Sequence, residues 1–83
     1  MSRSYYYPHP AIEEIKDSIK TEKIPEENME CVLEILDDIS SKIEQKKKPG
    51  IIKTALIGLK DFVLSAGANI TAALITAKIQ GLF

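Results

Sequence analysis

Histidine and cysteine, which often carry catalysis or bind metal, are scarce in this chain of 83 residues. It holds one histidine, His9, and one cysteine, Cys31. A thiolate nucleophile needs a base such as histidine beside it in a preformed pocket, and these two residues lie far apart in sequence. One histidine and one cysteine are also too few for a zinc site within a single chain. The sequence therefore predicts no active site, no metal site and no cofactor, with Cys31 as a partly covered residue at the edge of a core.

The acidic residues do not suggest an acid–base pair. Glu30, Glu34, Asp37 and Asp38 fall on one side of a predicted helix, and no apolar pocket that would shift the pKa of a carboxyl group can be argued around them. The glycines do not follow strands, so no phosphate-binding loop is expected. These carboxylates are interpreted as a solvated helix face, and the protein as a non-enzyme.

Two short segments could bind a partner. Tyr5, Tyr6, Tyr7 and His9 place amphipathic rings on an N-terminal arm, where they could contact a ligand or a protein pocket; alternatively, they fold back over the helices. The run Lys46–Lys48 could contact an anion or an acidic membrane surface. Its simpler interpretation is a group of solvated cations at the C-terminus of a helix.

Composition narrows the class of protein further. Eleven basic and twelve acidic side chains nearly cancel, so no global field favours binding to a nucleic acid backbone.

The N-terminal segment lacks the apolar stretch of a signal peptide, and a single thiol suits a reducing compartment. We therefore expect a cytoplasmic protein.

The spacing of apolar residues predicts helices. Residues 1–9 are expected to form a flexible aromatic arm and residues 10–83 a single helical domain. Helices are predicted at about 10–21 and 25–47, each starting with a proline that suits the first helical turn, and the second stops before Pro49 and Gly50. Their expected core positions recur three and four residues apart: Ile12, Ile15 and Ile19, then Met29, Val32, Leu36, Ile39 and Ile43, with Leu33 and Ile35 widening the second stripe.

A third helix is predicted at about 51–82, and it is apolar nearly all round. Its stripe comprises Ile52, Leu56, Leu59, Val63, Ala66, Ile70, Ala73 and Ala77, and no charge lies between Asp61 and Lys78. Gly67 could instead end one helix, with Asn69 capping the next. Because the stripe continues across Gly67, we expect one continuous or slightly kinked helix.

This helix would outreach its neighbours. At 1.5 Å per residue it would be about 50 Å long against about 33 Å for the second helix, which leaves its last dozen residues uncovered. The predicted fold is therefore all-α: a short N-terminal helix, then an antiparallel hairpin whose long C-terminal helix is buried in an oligomer. The expected oligomer interface comprises Leu59, Val63, Ala66, Gly67, Ile70, Ala73, Leu74 and Ala77.

Three functions follow from these observations. The first is a non-enzymatic interaction module that self-associates through its C-terminal helix and could also bind another protein. The second is a membrane-associated or membrane-inserting protein that uses residues 62–77. The third binds a small ligand or peptide at a subunit interface, where the aromatic arm would contribute. Nucleic acid is not an expected partner.

Overall fold

The fold is all-α, and its helices follow from proline positions and apolar spacing. The computed structural model describes the backbone of residues 8–82 and the side chains of residues 10–81. Within that range the helices are α1 (Pro8–Thr21), α2 (Glu26–Glu44), α3 (Pro49–Ser65) and α4 (Asn69–Leu82). The expected single C-terminal helix is thus two helices, and the predicted simple hairpin is wrong.

Helix α1 begins two residues earlier than the sequence predicts. Pro8 is its first residue and Pro10 lies in the same turn. The first N–H groups of a helix have no partner within the helix, so prolines cost little there. His9 consequently belongs to the backbone of α1 rather than to an arm, while residues 1–7 lie outside the described part of the chain.

Helices α2 and α3 end in the same capping geometry. At the end of α2, Lys46 has a φ of 59°, and the backbone N–H of Lys47 donates to the carbonyl of Lys42 at 3.1 Å. At the end of α3, Gly67 has a φ of 93°, and the N–H of Ala68 donates to the carbonyl of Val63 at 2.9 Å. Both are Schellman motifs, in which a left-handed residue lets the chain satisfy the last carbonyls and leave the helix axis.

The turn at residues 66–68 changes which residues face the core. Up to Val63 the predicted stripe is buried, but Ile70, Ala73 and Ala77 are exposed. The buried residues after the turn are instead Ala68, Thr71, Ala72 and Ile75. The prediction of one continuous helix is therefore wrong, because the turn starts α4 in a new rotational phase.

The four helices close into a ring in which each packs against two neighbours. The packed pairs are α1 with α2, α2 with α3, α3 with α4, and α4 with α1. Glu22, just after α1, contacts the start of α4, and Lys78 late in α4 pairs with Glu14 early in α1. Helices α1 and α4 are therefore antiparallel, and the α1–α2 connection lies at the same end of the bundle as the α3–α4 turn.

The core runs along the centre of this ring. Its aliphatic residues confirm the predicted stripes of α1, α2 and the first part of the C-terminal region, and Met29, Leu33 and Ile35 pack at the margin. The buried members are Ile12, Ile15, Ile19, Val32, Leu36, Ile39, Ile43, Ile52, Leu56, Leu59, Val63, Ala68, Ala72 and Ile75. This core covers one side of α3, whereas Ile51, Ile57 and Leu64 of the same helix stay exposed.

Candidate functional site

One candidate surface is the side of α4 that points away from the core. We call it the α4 outer face. At 100° per residue its members fall within an arc of about 120°, and all are exposed: Asn69, Ile70, Ala73, Thr76, Ala77 and Gln80. None of them carries a charge.

Ile70 is the most exposed large apolar side chain among those described. Its exposed fraction is 71%, and Leu64, on the other side of the α3–α4 turn, is 50% exposed. Single exposed aliphatic residues are common on protein surfaces. Ile70 lies on a helix face whose own side chains carry no charge. The carboxylate of Glu22 lies at the edge of that face, where it accepts a hydrogen bond from the Ile70 N–H.

The only charged residue of α4 is turned away from this face. Lys78 is half-buried on the side that packs against α1, where its ammonium group pairs with the carboxylate of Glu14. The pair links α1 to α4 and leaves the α4 outer face neutral.

A polar cluster holds the start of α4 in place. The carboxylate of Glu22 accepts a hydrogen bond from the backbone N–H of Thr71 at 2.7 Å and one from the N–H of Ile70 at 3.3 Å. These N–H groups lie in the first turn of α4 and have no partner within the helix. Glu22 therefore acts as an N-terminal cap supplied by a distant part of the chain, and its negative charge complements the helix dipole.

Two hydroxyl groups complete the cluster. The side chain of Thr71, which is fully buried, also hydrogen-bonds the Glu22 carboxylate, and its oxygen lies 2.8 Å from that of Ser18. A hydroxyl has one proton to donate. If Thr71 donates to Glu22, Ser18 must donate to Thr71, and the cluster forms a chain from α1 to α4.

This arrangement lowers the pKa of Glu22. Burial acts in the opposite direction and raises the pKa of the carboxyl group, but the hydrogen bonds from the Thr71 side chain and from the Thr71 and Ile70 backbones outweigh it. The carboxylate is thus the favoured form, and it fixes the position of Ile70 at the edge of the α4 outer face.

The structure divides the predicted interface residues into two groups. Leu59 and Val63 lie in the core of the chain itself, covered by its own helices. The second group is at least partly accessible: Ala66 and Leu74 are half-buried, while Gly67, Ile70, Ala73 and Ala77 are exposed. Only residues of the second group can contact a partner in this structure.

The other predicted positions are dispersed. Lys46, Lys47 and Lys48 are exposed at the opposite end of the bundle from Glu22. Cys31 is exposed on α2, and the cover expected from the N-terminal arm concerns residues outside the described part of the chain. Tyr5, Tyr6 and Tyr7 lie outside the described residues, as does the side chain of His9.

Two further observations concern metals and membranes. Among the side chains that the structure describes, no three of the histidine, cysteine and acidic types gather as metal ligands would. Within residues 8–82 no helix is both long and apolar enough to cross a bilayer, and the predicted segment 62–77 is divided by the turn at Gly67.

Comparison with known proteins gives no match: no protein-family model, curated protein or solved structure shows significant similarity to the chain.

The Glu22 cluster could not be predicted from the sequence. Glu22 lies 49 residues from Thr71, and no local spacing connects them. The alternative in which Gly67 ends a helix is correct, but Asn69 is the first residue of α4 rather than its cap. The cap function lies with Glu22, which only the closed ring brings into range.

Proposed function

We propose that this protein is a non-enzymatic helical interaction module that self-associates through the α4 outer face. The observation that carries the proposal is the 71% exposure of Ile70 on a helix face without charges. Leu59 and Val63, which the sequence pattern includes in the interface, are not part of this proposal because they fill the core.

The distribution of charge favours a second copy as the partner. Glu30, Glu34 and Asp37 are exposed on α2, and α2 does not pack against α4. The acidic surface and the α4 outer face therefore lie on different sides of the ring. A neutral face can meet its own copy about a two-fold axis without bringing like charges together, and the small side chains of Ala73 and Ala77 allow close approach of two helices.

The size of the face sets the expected affinity. Helix α4 has 14 residues, which corresponds to a strip about 21 Å long and about 10 Å wide. Stable dimers bury about 800 Å² on each partner. Even with Leu64 added, the strip is smaller, so we expect a reversible dimer that forms in the range of about 10–100 µM.

Light scattering after size exclusion over this concentration range tests the proposal. We expect the mass to rise with concentration for the natural protein and to remain that of a monomer for Ala73→Glu. Glutamate is a good helix former, so this change adds a charge to the α4 outer face with little effect on the helix itself.

The matched control is Ser41→Glu, which adds the same charge at an exposed position of α2. It should associate like the natural protein, and the far-ultraviolet circular dichroism of both variants should match that of the natural protein. A natural protein that stays monomeric up to about 100 µM would contradict the proposal, and so would equal loss of association in both variants.

A further inference from the structure

The loop between α2 and α3 concentrates unpaired positive charge. Lys46, Lys47 and Lys48, which we call the lysine loop, are all exposed. None of them forms an ion pair with any side chain in the described range 10–81. The nearest acid in sequence is Glu44, and Asp38 is already paired with Lys42.

The following helix adds to this field instead of neutralising it. Helix α3 starts at Pro49 with no side-chain cap and no acidic residue in its first turn. The positive end of its dipole therefore lies directly behind the lysine loop. Lys53, one turn further along, is also exposed.

The backbone at Lys46 is unfavourable for a lysine. Its φ of 59° belongs to the left-handed region, where glycine avoids a steric cost that other residues incur. A strained residue on an exposed loop is a reason to look for a role of its side chain. Here the left-handed Lys46 ends α2 and begins the turn in which Lys47 and Lys48 are exposed.

An apolar residue accompanies the cations. Ile51 lies in the first turn of α3, just after the loop, and 43% of its surface is exposed. Cations beside an exposed aliphatic residue are typical of segments that rest on an anionic lipid surface.

The geometry points to the lysine loop, with Ile51, as a docking surface for an anionic membrane. The lysines would contact lipid headgroups while their aliphatic stems and Ile51 approach the acyl boundary. The acidic face of α2 would remain in water, so the molecule would dock by its end. This inference goes beyond self-association and does not depend on it.

Vesicle sedimentation tests the inference with vesicles of phosphatidylcholine alone and vesicles that contain phosphatidylserine. We expect binding to the anionic vesicles only, and a decrease in that binding as salt is added, because surface charges are screened. The double variant Lys47→Gln with Lys48→Gln should bind the anionic vesicles roughly 30-fold more weakly. Each lysine near such a surface contributes a similar share of the binding free energy. Lys46 is left unchanged because its backbone conformation is part of the helix end.

The matched control removes two lysines from the other end of the bundle, Lys20→Gln with Lys23→Gln. Lys20 and Lys23 are both exposed, and they lie at the Glu22 end of the bundle rather than at the lysine loop. Binding of this variant should match that of the natural protein. Equal weakening in both double variants would overturn the proposal, because net charge rather than the loop would then be responsible. Equal binding to neutral vesicles, or no binding to anionic ones, would overturn it as well.

Two more measurements complete the test. The first asks whether the lysine loop or the α4 outer face binds the membrane, and the second asks whether the ligand is a lipid surface or a nucleic acid.

Ala73→Glu, which changes the α4 outer face, should still bind anionic vesicles as a monomer. Loss of binding in Ala73→Glu but not in the Lys47/Lys48 variant would overturn the assignment to the loop. A single-stranded DNA oligomer that binds as well as the vesicles, and with the same dependence on Lys47 and Lys48, would overturn the assignment to lipid.

Discussion

Single residues with left-handed backbone decide where α2 and α3 stop. Gly67 (φ 93°) and Lys46 (φ 59°) occupy the same position in two Schellman motifs. Glycine adopts such angles without a steric cost, whereas lysine does not. The turn at Gly67 is the more consequential one, because it turns a single apolar segment into two helices and leaves Ile70 exposed.

Gly67→Ala tests this turn, because a turn and a continuous helix predict changes of opposite sign in the free energy of unfolding. A Cβ at this position would meet no atom within 4 Å, so only the backbone angle matters. We expect the free energy of unfolding to fall by about 1 kcal/mol, measured from urea denaturation midpoints. In a continuous helix the same change would raise stability by about 1 kcal/mol, and a stabilised variant would therefore contradict the turn.

Lys46→Gly is the complementary change at the end of α2. Relief of the left-handed strain outweighs the added freedom of glycine in the unfolded chain, so we expect stability to rise by about 0.5–1 kcal/mol. The same urea titration measures it. No gain, or a loss, would indicate that Lys46 does not adopt this backbone conformation in solution.

At the scale of the elements, α1 and α4 depend on each other. Neither helix is long enough to be stable alone in water, since both have 14 residues. Their contact combines buried aliphatic residues such as Ile15 and Ile75 with the hydrogen bonds of Glu22 and the pair between Lys78 and Glu14. The Glu22 cap is the part of this contact that can be changed without creating a cavity.

Glu22→Gln keeps an acceptor oxygen but loses the charge that complements the dipole of α4, so it should lower stability at neutral pH by about 0.3–1 kcal/mol. The pKa of Glu22 is lowered in the folded chain. Its contribution is therefore fully present above the ordinary glutamate pKa of about 4.3 and is lost as the pH falls through the lower folded value. Urea titrations of both proteins at pH 7 and at about pH 3 should show a difference at pH 7 that shrinks in acid. A difference that is the same at both pH values would contradict the role of the charged cap.

At the scale of the whole molecule, the sequence predicts the helices better than it predicts their arrangement. The stripes of α1 and α2, and that of α3 up to Val63, follow from local spacing and are buried as expected. Spacing favours a continuous helix through Gly67 only because the apparent stripe extends to Ile70. A run of alanine, isoleucine and threonine supports more than one helical phase, so apolar spacing alone cannot choose between them.

The predicted interface combines exposed and buried residues for the same reason. Val63 and Ala73 share a face only if the helix is continuous. The turn separates them: Val63 fills the core, and Ala73 lies outside. Contacts such as Glu22 with Thr71 require the closed ring, and no pattern along the chain encodes them. The α4 outer face is thus what remains of the predicted interface after the bundle has closed on itself.

Intermolecular electron-spin distances test self-association through the α4 outer face most directly. A nitroxide would be attached to Thr76→Cys, at the margin of the α4 outer face, in a Cys31→Ser background. The matched position is native Cys31, which is exposed on α2. Two packed helices have axes about 8–10 Å apart, so labels at position 76 should give a short intermolecular distance whose amplitude grows with protein concentration. Labels at Cys31 should give no such distance. A short distance from Cys31, or none from position 76 under conditions in which the mass indicates a dimer, would contradict the proposed interface.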